Sequence, residues 1–321
     1  VRAPFKAHVE TPTFWPVDEA GIARQFATQQ AGEVVKYGTS VGGRDLCLVR
    51  HAKSGAPALW IVGCVHGHEA GTTAACFNLL SILGEGVDLK GKPWPEVSEL
   101  AGQLDITVVP VANPDARARC ADCFVGWPAE AIVPMGQSIG NDRKTIPVEA
   151  GFPPGGLNLD EVLFLGGLYN DEGLNCTRQP DMETVPVTEV RQLLAAMETA
   201  PPQCCVDLHA CGVNMLMMVR NLPEAWREKV RRIRDATAAA IKAMGHQFND
   251  EIGGDHEPAD TGFISYLRVV HQRFGALAFV YEGRQGYVNR LPHCDEADIV
   301  DDYLILLRET MRVGVAEGFV P

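Results

Sequence analysis

A single-domain α/β fold, built on a mostly parallel twisted sheet with helices on both faces, is what this sequence predicts. Three observations carry the prediction. Runs such as Leu59-Trp60-Ile61-Val62, Cys204-Cys205-Val206 and Leu277-Ala278-Phe279-Val280 are apolar at consecutive positions, as strands buried on both faces are. Segments with helical spacing alternate with these runs. Several of the runs end in polar residues, and the carboxyl ends of parallel strands are where open α/β sheets gather their chemistry.

Taken in order, residues 1–30 show weak periodicity and read as an N-terminal arm with a short helix near 18–28; residues 31–321 read as the main domain. Residues 33–40 and 44–50 are two strands joined through Gly42-Gly43, a hairpin. A buried strand over 59–63 leads through His66-Gly67-His68-Glu69 into a helix near 70–83. A short helix is expected at 96–102 and a buried strand at 104–111, ended by the turn residues Asn113-Pro114-Asp115. Residues 124–173 are dense in Gly and Pro and read as a long irregular segment, the kind that forms a functional surface or lid. A helix over 186–197, a strand over 204–209, an amphipathic helix over 225–244, a strand over 275–282 and a closing helix over 298–315 complete the chain.

Composition narrows the function. The chain has 321 residues, enough for a substantial core, with 46% hydrophobic and 21% charged residues, ordinary for a globular protein. No apolar run approaches the ~20 residues that cross a bilayer, so no membrane role is expected. A formal charge of −13 argues against nucleic acid as a partner, because binding phosphate needs a basic face. The ten cysteines lie mostly in apolar runs, and a chain this long needs no disulfide staples; a reducing, cytoplasmic setting is the expectation. The first residues, Val1-Arg2-Ala3-Pro4, include no initiating Met, which leaves open a removed leader. Cys120 and Cys123 form an isolated CxxC and read as loop or core thiols.

Three strand ends hold candidate chemistry. His66 and Glu69, three apart at a strand-to-helix turn, can bring an imidazole and a carboxylate onto one ion. The plainer alternative is a helix start with an acidic first turn beside a surface histidine. Asp207 and His209 are two apart and face one side of their strand. Two His and one carboxylate with an open fourth position describe a catalytic zinc site, and Glu282 is then the candidate proton acceptor. Each has its bland counterpart: His209 as a core histidine, Glu282 as an edge carboxylate paired with Arg284.

On these residues the sequence resembles the zinc carboxypeptidase family of metallopeptidases (M14) between about residues 37 and 287. Tyr37-Gly38-Thr39-Ser40-Val41-Gly42-Gly43-Arg44 is similar to its early hairpin, His66-Gly67-His68-Glu69 to its His-x-x-Glu motif, and Pro110-Val111-Ala112-Asn113-Pro114-Asp115 to its Pro-x-x-Asn-Pro-Asp strand end. Gly173-Leu174-Asn175-Cys176-Thr177-Arg178 is similar to its substrate motif, with Thr177 where the family has Asn and Asn175 where it has Asp. His209 falls at the third ligand, and Glu282, followed by Arg284, at the catalytic Glu. The resemblance implies a zinc carboxypeptidase-like catalytic domain over 31–321. One Zn²⁺, held by His66, Glu69 and His209, would activate water and polarise the scissile carbonyl, with Glu282 as base and then acid. Arg178, with Thr177 and Asn175, would hold the substrate's terminal carboxylate. Arg143 would steady the oxyanion, with Arg117 and Arg119 as rivals. No tyrosine clearly fills the position of the family's substrate-capping Tyr; Tyr266 lies before the last strand and Tyr287 after it. His68 drops out of the ligand set as a supporting or surface histidine.

The implied activity is removal of C-terminal residues from peptides. The nearest alternative is a zinc-dependent deacylase of N-acyl amino acids, of the succinylglutamate desuccinylase and aspartoacylase branch, where Asp-x-His and His-Gly-x-Glu also occur. His66-x-His68 copies a motif of metal-dependent amidohydrolases, but their eightfold barrel repeat is absent. A non-catalytic binding protein on this fold would be expected to have lost its ligands, and this chain has them all.

Overall fold

The computed structural model describes residues 10–219, 222–250, 264–288 and 294–320. A seven-stranded sheet runs through its middle, made of β1 (Glu33–Thr39), β2 (Asp45–His51), β3 (Ala58–Val62), β4 (Asp105–Val109), β5 (Cys204–Ala210), β6 (Met215–Met218) and β7 (Leu277–Gly283). Their order across the sheet is β1-β2-β4-β3-β5-β7-β6. β4, β3, β5 and β7 are parallel neighbours; β1 and β2 form the antiparallel hairpin at one edge, and β6 runs antiparallel to β7 at the other. The four parallel strands therefore end on one rim, and that rim holds His66, His209 and Glu282.

Alternation along the strands divides the core. Leu59, Ile61, Ile106, Val108, Val206, Leu208, Phe279 and Tyr281 point to one face, beneath helices α2 (Ala70–Glu85), α3 (Pro95–Ala101), α7 (Glu224–Ala243) and α9 (Glu296–Glu317). Trp60, Val62, Val109, Cys205, Ala278 and Val280 point to the other, against α6 (Thr188–Thr199) and α8 (Tyr266–Phe274). This is the period-two logic of a sheet covered on both sides. α1 (Glu19–Thr28) adds Ile22 and Phe26 to the first face, and Trp15, just before it, is buried there with its indole N–H donating to the Asp122 carbonyl at 2.9 Å. Of the stretch read as an arm, Trp15, Val17, Ile22 and Phe26 are thus packed on the core, while residues 1–9 lie outside the described residues.

Most element bounds agree with the sequence reading to within two or three residues. Three of the elements that differ are instructive. α5 (Ala129–Gln137) lies inside the stretch read as irregular, where Pro134 and Gly136 mask the helical pattern. α8 opens on Tyr266 and carries Val269 and Val270, residues of modest helix propensity that burial holds in place. β6, four residues long and Met-rich, has no alternation strong enough to read. The described cysteines are all free, and among the described residues no helix is long and apolar enough to cross a membrane.

Candidate metal centre and the cavity around it

β3 stops at Val62, and the next residues turn sharply. Cys64 adopts a left-handed backbone at φ 55, its N–H donates to Thr72 Oγ1 at 2.8 Å, and Gly67 passes so close to α4 (Pro114–Arg119) that a Cβ would lie 2.2 Å from the Ala116 carbonyl carbon. Glu69 sits at the N-cap of α2 but makes no capping bond. Its carboxylate instead turns toward His66, with Nδ1 to Oε1 at 2.9 Å. The acidic-first-turn alternative is therefore not what this glutamate does.

His209, on β5, completes the group. Its Nδ1 lies 3.2 Å from His66 Nδ1 and 3.1 Å from Glu69 Oε2. Tetrahedral zinc with bonds of 2.0–2.1 Å has ligand-to-ligand edges of about 3.3 Å. These three buried donors thus stand at the separations the ion requires, and they are of the type it takes. Glu69 Oε2 is buried without a hydrogen-bond partner, as expected of an oxygen facing a cation. The other nitrogen of the His209 ring, Nε2, is 2.8 Å from Asp207 Oδ2. Asp207, fully buried two residues earlier on the same strand, fixes the ring with Nδ1 toward the centre, the usual arrangement behind a metal-binding histidine. Sequence reading put Asp207 on the right side of the strand but gave it no role.

Charge follows the geometry. Burial works against ionisation of Glu69, but the adjacent His66 and His209 outweigh it and hold the carboxyl well below its ordinary range. Burial lowers His66, keeping it neutral as a ligand must be. In His209 burial is overcome by Asp207 and Glu69, which push its pKa well up. Glu282, paired with His209 in the parallel register of β7 on β5, is raised from 4.5 to about 7, first by burial and then by the charges of Glu69 and Asp207, against the opposing pull of His209. A carboxyl poised near neutrality suits proton transfer. Arg284 does not pair with it: its guanidinium lies 2.7 Å from Asp302 Oδ2.

A cavity of about 550 Å³ opens over this rim. His66, His68, Glu69, His209, Cys211 and Glu282 line the strand-end side, and Asn175, Thr177 and Arg178 line another. Thr177 is locked by its own neighbour, since its N–H and hydroxyl both donate to Asn175 Oδ1, at 3.0 and 2.8 Å. Arg178 lies over the Phe152 ring at 5.8 Å. The remaining wall comes from the stretch read as irregular: Ile132 and Val133 from α5, and Val148, Phe152 and Leu168 beyond it. Tyr287 also lines the cavity, whereas Tyr266 is buried in the core.

The arginines expected at an oxyanion are elsewhere. Arg143 occupies an exposed turn at φ 65, outside the cavity lining, with its N–H bonded to the Gly140 carbonyl at 2.8 Å. The expectation rested on a local Arg-Lys-Thr likeness alone. Arg117 is buried and holds the carbonyls of Gly67 at 2.6 Å and Cys120 at 2.9 Å; Arg119 holds those of Leu165 and Gly166 and pairs with Asp171. Both tie the rim together. His68, set aside in the sequence, instead lines the cavity, 8% exposed and enclosed by Gly136 and Gly167, where a Cβ would approach its ring to 3.0 and 2.7 Å. Burial lowers its pKa to about 4, so it faces the cavity neutral. Its position in the motif was the available signal.

The early hairpin and the Asn-Pro-Asp turn meet as a brace. Asp115 accepts from Ser40 Oγ at 2.9 Å, from the Gly42 N–H at 2.7 Å and from Arg44 at 3.1 Å, and Asn113 caps α4 through Ala116.

A mixed α/β sheet thus carries a His-Glu-His donor set of the kind that binds zinc at its parallel strand ends. Residues 22–123, with both motifs of the brace and the candidate ligands His66 and Glu69, match the family model of the zinc carboxypeptidases. The fold is also that of solved metallocarboxypeptidases. One from Burkholderia cenocepacia superposes with a TM-score of 0.58 at 15% identity, over 92% of this chain and 67% of that one. One from Pseudomonas aeruginosa, in complex with (2-guanidinoethylmercapto)succinic acid, gives 0.60 at 15% identity, again over 92% and 67%. This chain spans about two thirds of the length of those proteins. No curated protein matches the sequence.

Proposed function

We propose that this chain is a zinc metallocarboxypeptidase that removes C-terminal residues from peptides. The observation that carries the reading is one cavity with His66, Glu69, His209 and Glu282 on one side and Arg178 on another. When bound, zinc supplies Lewis acidity that polarises a carbonyl and lowers the pKa of water. His66, Glu69 and His209 would hold the ion, with Asp207 orienting His209. Glu282 takes the proton of the attacking water at its carboxylate and returns it to the leaving nitrogen. Arg178 pairs with the substrate's terminal carboxylate, which its planar guanidinium suits, on a strip stiffened by the Thr177–Asn175 bonds. The apolar wall from Ile132 to Leu168 shields this end from water.

The deacylase reading keeps the same site and changes only the substrate. The observation in its favour is that wall, because a cavity of about 550 Å³ is of a size that encloses small ligands. A hydrolysis profile of the zinc-loaded protein over peptides and acyl-amino acids, with a chelator control, decides between them. Release of free C-terminal amino acids supports the peptidase. Release of acyl groups alone replaces it with the deacylase, and chelator-resistant turnover rejects both.

A further inference from the structure

Glu282-Gly283-Arg284 ends β7, and helix α9 lies across it. The Tyr303 hydroxyl donates to the backbone carbonyl of His209 at 2.6 Å, so a side chain of α9 holds the main chain of the third expected ligand. It reaches that carbonyl by passing over Gly283, where a Cβ would lie 2.4 Å from the Tyr303 oxygen. Any larger residue between Glu282 and Arg284 would force the ring away. The preceding residue of the helix, Asp302, is fully buried and holds the other strand end. Its Oδ2 accepts from Arg284 Nε at 2.7 Å and from Asn214 Nδ2 at 2.7 Å, and Asn214 Oδ1 accepts from the Tyr281 hydroxyl at 2.9 Å. The residues on both sides of the base are therefore tied to one carboxylate. His246 Nδ1 lies 2.7 Å from its Oδ1.

We propose that Asp302 and Tyr303 are positioning residues: two consecutive side chains of α9 that separately set the third metal ligand, through its carbonyl, and the general base, through Arg284 and Asn214. The proposal rests on the metal and base roles given above. None of these groups is itself among the cavity-lining residues, so their effect passes through His209 and Glu282. The two arms are distinct. Loss of the Tyr303 hydroxyl loosens His209 and weakens metal binding; loss of the Arg284 fork loosens Glu282 and slows turnover.

Chelator competition with zinc alone, needing no substrate, reads the first arm. Tyr303→Phe keeps the ring and is expected to weaken zinc about tenfold, the lower end of what outer partners of metal ligands contribute. Met311→Ala, on the same helix in the core, is the control; it lowers the melting temperature and leaves zinc affinity unchanged. Arg284→Lys reads the second arm: kcat falls about tenfold on whichever substrate the wild type hydrolyses, with KM and zinc affinity within twofold. Wild-type zinc affinity in Tyr303→Phe, or an equal loss in Met311→Ala, overturns the metal arm. A fall in zinc affinity matching the fall in kcat in Arg284→Lys overturns the division into two arms. If the wild type binds zinc and hydrolyses nothing, the peptidase reading fails while the metal arm is still decided by chelator competition.

Discussion

The two halves of the cavity are built differently. On the metal side His209 sits on a strand of the parallel core and His66 and Glu69 in the turn that leaves another, and bonds brace this rim: Asp207 behind His209, Tyr303 on its carbonyl, Arg117 on the carbonyl of Gly67. On the substrate side the lining comes from a helix interrupted by Pro134, from loops and from short turns, joined to the metal side by contacts such as the Gly67 N–H to the Gly167 carbonyl at 2.7 Å. Regular strands fix donors to within the tolerance a metal demands; the loop-built wall instead sets which molecules enter. Damage to the first half should therefore abolish chemistry, and damage to the second should change affinity.

The largest effect is expected from His209→Ala, which should lose stoichiometric zinc and bring hydrolysis to background; metal analysis finding one zinc per chain would show that His209 is no ligand. Next comes Glu282→Gln, with zinc retained and kcat lowered roughly 10³-fold, within the range of general acid–base contributions. The same residue sets a pH limb. Glu282 works ionised, burial raises its pKa from 4.5 to about 7, and a bound cation pulls it back down, so kcat/KM should rise with pH through a midpoint between those values. A limb surviving in the Gln variant would move the base elsewhere. Arg178→Ala belongs to the other half: KM should rise about 30-fold for substrates with a free carboxylate, as loss of a charge-assisted bond implies, and little for amidated ones. Equal effects on both would remove the anchor. Smallest of all, Arg143→Ala should change kcat/KM less than twofold, because its turn is exposed and outside the cavity lining. A hundredfold loss would mean that this turn folds inward over substrate.

The same division explains what could be read from the sequence. Strands buried on both faces leave runs such as Leu59–Val62 with little alternative, and the polar residues that follow them stand out against an apolar background. That made the sheet, His66, Glu69, His209 and Glu282 legible. The cavity wall was legible only as a stretch, residues 124–173 read as a functional surface; its helix and its individual lining residues were not, because α5 has a proline within it and residues such as Phe152 and Leu168 follow no period. Arg143 misled because a three-residue likeness says nothing about the length of loop that carries it. His68 was set aside because ligand spacing gave it nothing to bind. Its place in the motif was the one available signal; the structure adds that it lines the cavity with Gly136 and Gly167, from distant stretches, packed against its ring.

The polarity of the central strands has a practical side. Since β4, β3, β5 and β7 all finish on the rim that holds the donor set, the opposite rim carries their starting turns, together with the end of β2. At Ser54-Gly55, just ahead of β3, the chain is exposed and Gly55 turns freely at φ 78 with nothing within 4 Å of an added Cβ. A linker for immobilisation on a solid support belongs at this turn, where the cavity mouth would face away from the support.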